Sequence, residues 1–206
     1  AGDLNMKLVL ASNNAKKLAE LQALFAPLGV ELVTQGSLGI AEAEEPFDSF
    51  VENALTKARH AARLSGLPAL ADDSGLAVEG LNGAPGVLSA RYATLFGQPK
   101  SDADNNRVLL EQMAGLSERT ARFVCALVAV KSAADPEPLI AMGRWQGQIL
   151  RALQGEGGFG YDPLMFIPSL GRSVGQLSAA EKNALSHRAL AAVDLAAQMR
   201  ETWHLG

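Results

Sequence analysis

Cysteine is nearly absent. The single Cys125 has no partner for an internal disulfide, and its place in the apolar run Arg122–Val130 (RFVCALVAV) predicts a buried structural thiol rather than a nucleophile. A basic excess is also missing. The formal net charge of −4 excludes broad, charge-driven binding to a nucleic-acid polymer, although it leaves room for a small anion pocket. No apolar run approaches the roughly 18 residues of a membrane span, and no segment has the organisation of a signal peptide. No membrane partner is expected, and the expected location is cytoplasmic. Repeats and low-complexity tracts are lacking, as is the G-x-x-x-x-G-K-[ST] phosphate loop. What is present is a chain of 206 residues, 48% apolar and 19% charged, long enough to bury a real core as one large domain or two small lobes. The five residues before Met6 read as an appended or disordered start.

The stretch that organises the chain is Leu70–Val78, LADDSGLAV. An apolar approach ends in Asp72 and Asp73, Ser74-Gly75 follows, and the apolar run resumes at Leu76. The pattern predicts strand, tight turn, strand, with both carboxylates pointing into open space. Two such carboxylates repel one another unless a cation, a proton or a donor relieves them. A solvated Asp-rich turn gives the same pattern.

Ahead of it, Lys7–Ala11 reads as a strand and Leu18, Leu21, Leu24, Phe25 and Leu28 as one helical stripe. Between them lies the polar loop Ser12-Asn13-Asn14-Ala15-Lys16-Lys17, where backbone N–H groups, a helix N-terminus and two lysines together suit a phosphate. An Asn-rich cap with solvated lysines is the plainer reading. After a strand at Val30–Val33, the acidic stretch Glu42-Ala43-Glu44-Glu45-Pro46 precedes a helix that starts near Asp48 or Ser49 and runs to Ser65. Asn53 and Lys57, four apart, share a side of it, and Lys57 is a candidate substrate contact. One of the glutamates could join Asp72 or Asp73 around a hard cation such as Mg²⁺, which prefers oxygen ligands.

Arg122–Val130 and Leu139–Leu150 are β-type runs without clean alternation, so a sheet covered on both faces is expected. Gly155–Pro163 (GEGGFGYDP) is too glycine-rich for core packing; Phe159 and Tyr161 in it could stack on a flat ring, and Asp162 adds a carboxylate. Ser178-Ala-Ala-Glu181 is a capping box that opens the last helix, which would carry Lys182, Ser186, His187 and Arg188.

With Ser12–Lys17, LADDSGLAV, GEGGFGYDP and EKNALSHR in view, the chain resembles the inosine/xanthosine triphosphate pyrophosphatase family from Lys7 to about Met199. The resemblance implies an elongated α/β domain over 1–206, with a central mixed β-sheet flanked by helices and two lobes with the active site in the cleft between them. It implies cleavage of the α–β bond of deaminated purine nucleoside triphosphates (inosine, deoxyinosine and xanthosine triphosphates), dependence on Mg²⁺, and a homodimer. Residue by residue, it implies that Ser12, Asn13, Asn14, Ala15, Lys16 and Lys17 form the first phosphate loop, with Lys17 on the triphosphate. Many members have Thr-Gly-Asn there, so Asn13 is a departure. Glu44 and Asp73 match the metal-binding acids, Asp73 being also the proton acceptor with Asp72 beside it as a second catalytic candidate. Ser74 and Lys182 match substrate contacts, Phe159, Gly160, Tyr161 and Asp162 the base-side loop, and His187 and Arg188 the pair that reads the 6-keto edge. A nucleotide-binding module without turnover would lack an acid at 44, 72 or 73, and all three are present. A related pyrophosphatase for other modified nucleotides is the remaining alternative.

Overall fold

The computed structural model describes residues 6–206, so the expectation for residues 1–5 lies outside the described residues. Seven strands form one sheet in the order β2-β1-β3-β4-β5-β6-β7. In chain order these are β1 (Met6–Leu10), β2 (Val30–Thr34), β3 (Ala69–Val78), β4 (Thr120–Val130), β5 (Leu139–Ile149), β6 (Met165–Ile167) and β7 (Arg172–Ser173). The helices are α1 (Ala15–Phe25), α2 (Phe50–Ser65), α3 (Asp102–Met113), α4 (Ala179–Leu185) and α5 (His187–Thr202). β1 runs parallel to β2 and β3, while β6 is antiparallel to β5 and β7, so the sheet is mixed and the fold α/β, as expected.

Contacts divide the chain into two compact units. The first holds the chain through Asp73, Cys125–Gly143 and Arg188–Gly206. In it the α1 stripe buries Leu21 and Phe25 against Leu8, Leu10, Leu70, Leu127 and Leu195. α2 turns Ala54, Ala58, Ala61 and Ala62 onto Val9, Ala69, Ala71, Ala126 and Val128; its small side chains let helix and strands approach closely. Ser49 caps α2 by accepting the Glu52 N–H, and Gly66 ends it in the left-handed conformation (φ 71°) that costs a glycine little. The second unit, Ser74–Val124 with Arg144–His187, has its own core of Leu76, Leu109, Met113, Phe123, Ile149 and Leu164. There Arg119 donates to the carbonyls of Met113, Leu116, Ile149 and Leu150, tying the end of α3 to the end of β5.

Three local expectations are corrected. LADDSGLAV is no turn: β3 runs unbroken from Ala69 to Val78, and both aspartates are buried in it. A strand can carry carboxylates inside only when cations and donors meet them, and those come from distant segments. β5 alternates buried and exposed residues, so only β4, buried almost end to end, meets the expectation of cover on both faces. The last helix is two helices: Ser186 is extended (φ −69°, ψ 162°), which separates α4 from α5 and removes Lys182 from the helix that bears His187 and Arg188. The α4 capping box is present as predicted, Ser178 Oγ accepting the Glu181 N–H and Glu181 Oε1 accepting the Ser178 N–H.

Candidate active site

In the first unit, the side chain of Asp72 is fully buried at the centre of a charged cluster. Arg188 Nε donates to its Oδ2 at 2.6 Å, Lys17 Nζ lies 3.1 Å from its Oδ1, and Cys125 Sγ donates to Oδ2 at 3.4 Å. Arg188 Nη1 also donates to Glu20 Oε2 at 2.6 Å. Burial on its own would raise the Asp72 pKa, but Arg188 and Lys17 overcome it and hold the carboxyl well below the usual range. Asp72 is therefore a permanent anion that orients Lys17 and Arg188. Cys125 is buried, and its thiol is pushed far up by burial and by the Asp72 charge, as the apolar run predicted.

The next residue is tuned the opposite way. Asp73 is 6% exposed, and its Oδ2 is buried without a hydrogen-bond partner among the described residues. Burial pushes its pKa up to about 7; Lys57, with Nζ 3.7 Å from Oδ1, opposes this, and the Glu45 carboxylate adds to it. Lys57 Nζ donates to Glu45 Oε1 and to the Asp72 carbonyl, each at 2.8 Å, and the carboxylates of Asp73, Glu45 and Asp72 keep it charged against the cost of burial. Two adjacent carboxyls thus sit in opposite environments, one held as an anion and one poised near neutrality.

Of the two glutamates, the structure brings Glu45 to Lys57 and Asp73. Glu44 is exposed and lines a groove of about 560 Å³ with Thr56, His60 and Arg63. The resemblance assigns the metal to Glu44, whereas the residue that stands beside Lys57 and Asp73 here is its neighbour Glu45. In the first loop, Ser12 Oγ accepts the Asn14 N–H, and Asn14 Oδ1 accepts the N–H groups of Lys16 and Lys17, so the helix cap is real. Asn13 Oδ1 accepts the Gly36 N–H at 2.8 Å, and Asn13 does not adopt a positive φ. The departure from glycine at this position is thus taken up without strain and ties the loop to the end of β2. Asn13, Asn14, Ala15 and Lys16 are exposed, while Ser12 and Lys17 are half-buried.

The second unit gathers the other candidates. Asp162 Oδ2 accepts from Lys182 Nζ at 2.8 Å and from the Phe159 N–H at 3.1 Å, and Lys182 Nζ sits 4.3 Å from the centre of the Phe159 ring. Gly158 (φ 69°) must be glycine, because a Cβ there would stand 2.0 Å from Asp162 Oδ2. Gly160 is held at both backbone groups, its N–H by Asp102 and its carbonyl by Asn106, two α3 residues that the sequence does not tie to this loop. The His187 ring stacks on Phe123 at 4.8 Å and on Trp145 at 6.5 Å, so Trp145 packs against this side chain. Ser74 is half-buried at the start of this unit. Tyr161 is not an exposed stacking wall. It is 5% exposed within the core, and its hydroxyl donates to the Ser89 carbonyl at 2.6 Å. Replacing Tyr161 with Phe should therefore cost about 1–2 kcal/mol and a few degrees in Tm while leaving base preference unchanged. Thermal melts and paired rate measurements check it, and a changed base ratio would return Tyr161 to the substrate.

Comparison with known proteins agrees with these motifs. The Ham1 family profile matches residues 8–198. A protein of Leptothrix cholodnii named dITP/XTP pyrophosphatase is 62% identical over 97% of this chain and 100% of its own length. One of the same name from Methylibium petroleiphilum is 63% identical over 96% of this chain and 99% of its own. Among solved structures, a HAM1 protein from Coxiella burnetii matches with a TM-score of 0.87 at 45% identity, covering 96% of this chain and 100% of that one. A Mycobacterium abscessus structure titled nucleoside-triphosphatase / dITP/XTP pyrophosphatase matches with a TM-score of 0.71 at 43% identity, over 91% and 98% of the two chains. From motifs, fold and full-length identity together, the chain belongs to the Ham1 family.

Proposed function

We propose that this protein hydrolyses deaminated purine nucleoside triphosphates (those of inosine, deoxyinosine and xanthosine) at the α–β bond, giving the monophosphate and pyrophosphate. The observation that carries the chemistry is Asp73, a buried carboxyl with an unpartnered oxygen and a pKa of about 7, next to three lines of positive charge from Lys17, Lys57 and Arg188. Water attacks at one phosphorus of the α–β bridge, the bridging P–O bond breaks, and Asp73 accepts the proton of the water. A base with a pKa near the working pH combines availability with driving force. Lys17 offsets charge on the triphosphate and is held in place for this by Asp72.

The residues present fit Mg²⁺. The unpartnered Asp73 Oδ2 beside the Glu45 carboxylate is a pair of hard oxygen donors whose repulsion a cation relieves, and Glu44 adjoins them in sequence. Among the described residues no group of three potential ligands occurs, so these carboxylates would supply only part of a magnesium shell and water and substrate phosphates the rest. Asp73 with the glutamate pair would hold it, and when bound it supplies charge neutralisation and orientation of the phosphate chain. Metal-dependent rates for Glu44→Gln and Glu45→Gln separate the two glutamates.

His187 and Arg188 are assigned to the 6-keto edge of the base, with donors that a keto oxygen accepts and a 6-amino group does not. The stack on Phe123 and Trp145 fixes the plane of the imidazole. Replacing His187 with Ala is expected to lower the inosine-to-adenosine ratio of kcat/KM by about tenfold, since a missing donor to a buried polar edge costs about 1–3 kcal/mol. An unchanged ratio assigns base reading to another group. The same proposal includes a cytoplasmic homodimer acting on free nucleotides rather than polymers or membranes. The net charge of −4 favours free nucleotides over polymers, and no helix among the described residues is long and apolar enough to cross a membrane. Sedimentation of the purified protein tests the dimer. The activity is tested by product analysis with inosine and adenosine triphosphates, with and without Mg²⁺. Metal-dependent pyrophosphate release favouring inosine is expected, and release of single phosphate would overturn it.

A further inference from the structure

The acidic segment that carries Glu44 and Glu45 has no helix or strand of its own between Ala41 and Pro46. Three side chains of α2 hold it, and they stand at positions 53, 57 and 60. Steps of four and three residues keep these on one face of a helix. The amide of Asn53 grips both backbone groups of Phe47: Oδ1 accepts the Phe47 N–H at 3.0 Å and Nδ2 donates to the Phe47 carbonyl at 3.0 Å. Because donor meets acceptor on both sides, this orientation of the amide is the only one that makes both bonds. Asn53 is 1% exposed, so the grip is dry. At the other end His60 Nε2 lies 2.8 Å from the Ala41 carbonyl, and since a carbonyl can only accept, Nε2 carries the proton. Between the two anchors Lys57 reaches Glu45.

The Glu45 carboxylate repels Asp73 inside β3, raising its pKa, and Glu42 and Glu44 place further like charge on the same short segment. An untethered segment would relieve that repulsion by moving its carboxylates into water. We propose that Asn53 and His60 are positioning residues that hold the acidic segment against this repulsion, so that its glutamate stands beside Asp73 ready for the cation. The inference rests on the metal-dependent pyrophosphatase reading above. It assigns a task to two residues that touch neither substrate nor metal.

The test uses the full chain and the variants N53A, H60A and H60Q, the last keeping an N–H that can reach the Ala41 carbonyl. Loss of Asn53 should raise the Mg²⁺ concentration for half-maximal rate about tenfold, the scale usual for groups that orient metal-binding side chains. KM for nucleotide at saturating metal should change less than about twofold, a split that general destabilisation would not produce. H60A should show a smaller rise in the same direction, which H60Q restores. Hydrogen exchange in metal-free buffer supplies a readout independent of activity: the Phe47 amide should lose protection in N53A while the amides of β1 and β4 keep theirs. Retained protection of Phe47, or an unchanged metal requirement with protection lost, overturns the proposal. Should N53A fail to fold, H60A against H60Q decides it alone, equal metal requirements overturning it. A wild-type protein that does not turn over inosine triphosphate would instead overturn the nucleotide reading, while the exchange result would still report on the tether.

Discussion

Asp73→Asn is expected to abolish turnover, by about three orders of magnitude or more, and at the same time to make the protein more stable at pH 8. The loss follows from removing the base, worth roughly 10²–10⁴ in rate, together with a hard donor for the cation. The gain follows from linkage. Burial raises the Asp73 pKa from 3.8 to about 7, with Glu45 adding to the shift against Lys57. Well below pH 4 the folded protein and the unfolded chain both keep the proton and the group costs nothing; near pH 4 the unfolded chain is about half ionised and the cost is still small. As pH rises toward 7 the unfolded chain ionises first, unfolding releases a proton, and stability falls; above about pH 7 both states are ionised and the cost is constant. An asparagine has no such cost. The melting temperature of the variant measured in chelator should therefore exceed that of the parent by several degrees at pH 8, and the difference should shrink toward zero near pH 4. Lys57 retains Glu45 and the Asp72 carbonyl, so the substitution does not strand a buried cation. Near-normal rates would remove Asp73 from the mechanism, and a stability difference independent of pH would refute the origin assigned to its pKa.

Arg188→Met should have the largest effect on folding. Its side chain is 1% exposed and lies between Asp72, fully buried, and Glu20. Burial works against its charge, but Asp72 and Glu20 more than compensate and raise its pKa above the ordinary range. Removing one member of a buried pair strands the other, at about 3–5 kcal/mol. For a chain of this size that is a fall in Tm of roughly 6–20 °C. Asp72 would then lose the main influence that keeps it ionised and would take up a proton at higher pH. Arg188→Lys keeps the charge but not the fork that meets two carboxylates, so an intermediate loss is expected. The double variant with Asp72→Asn should be more stable than the sum of the single losses predicts, the signature of direct coupling. Urea unfolding of the four proteins measures this. A loss under about 1 kcal/mol for Arg188→Met would mean that the cluster is wetter and weaker than its geometry implies.

These two residues also mark where the sequence stops being legible. Helix caps and stripes are local, and the chain spells them out: the Asn-rich cap before α1, Ser49 as one of the two starts offered for α2, the Ser178–Glu181 box at α4, and Leu21 and Phe25 on the α1 stripe all stand where the pattern placed them. The ordered motifs from Ser12 to Arg188 were enough to identify the family, because each keeps its own short-range spacing. The fate of the Asp72-Asp73 pair was not local. A strand interior and a tight turn differ in whether the carboxylates find partners, and the main partner of Asp72 is 116 residues away along the chain. The choice between Glu44 and Glu45, the burial of Tyr161 and the break at Ser186 were hidden for the same reason. By itself, then, the sequence determined most element starts and caps, the family motifs and the residues from which a site could be built. Tertiary structure alone decided which carboxyl is held as an anion and which is poised near neutrality, since pKa values depend on burial and on charges that only folding brings within a few ångströms.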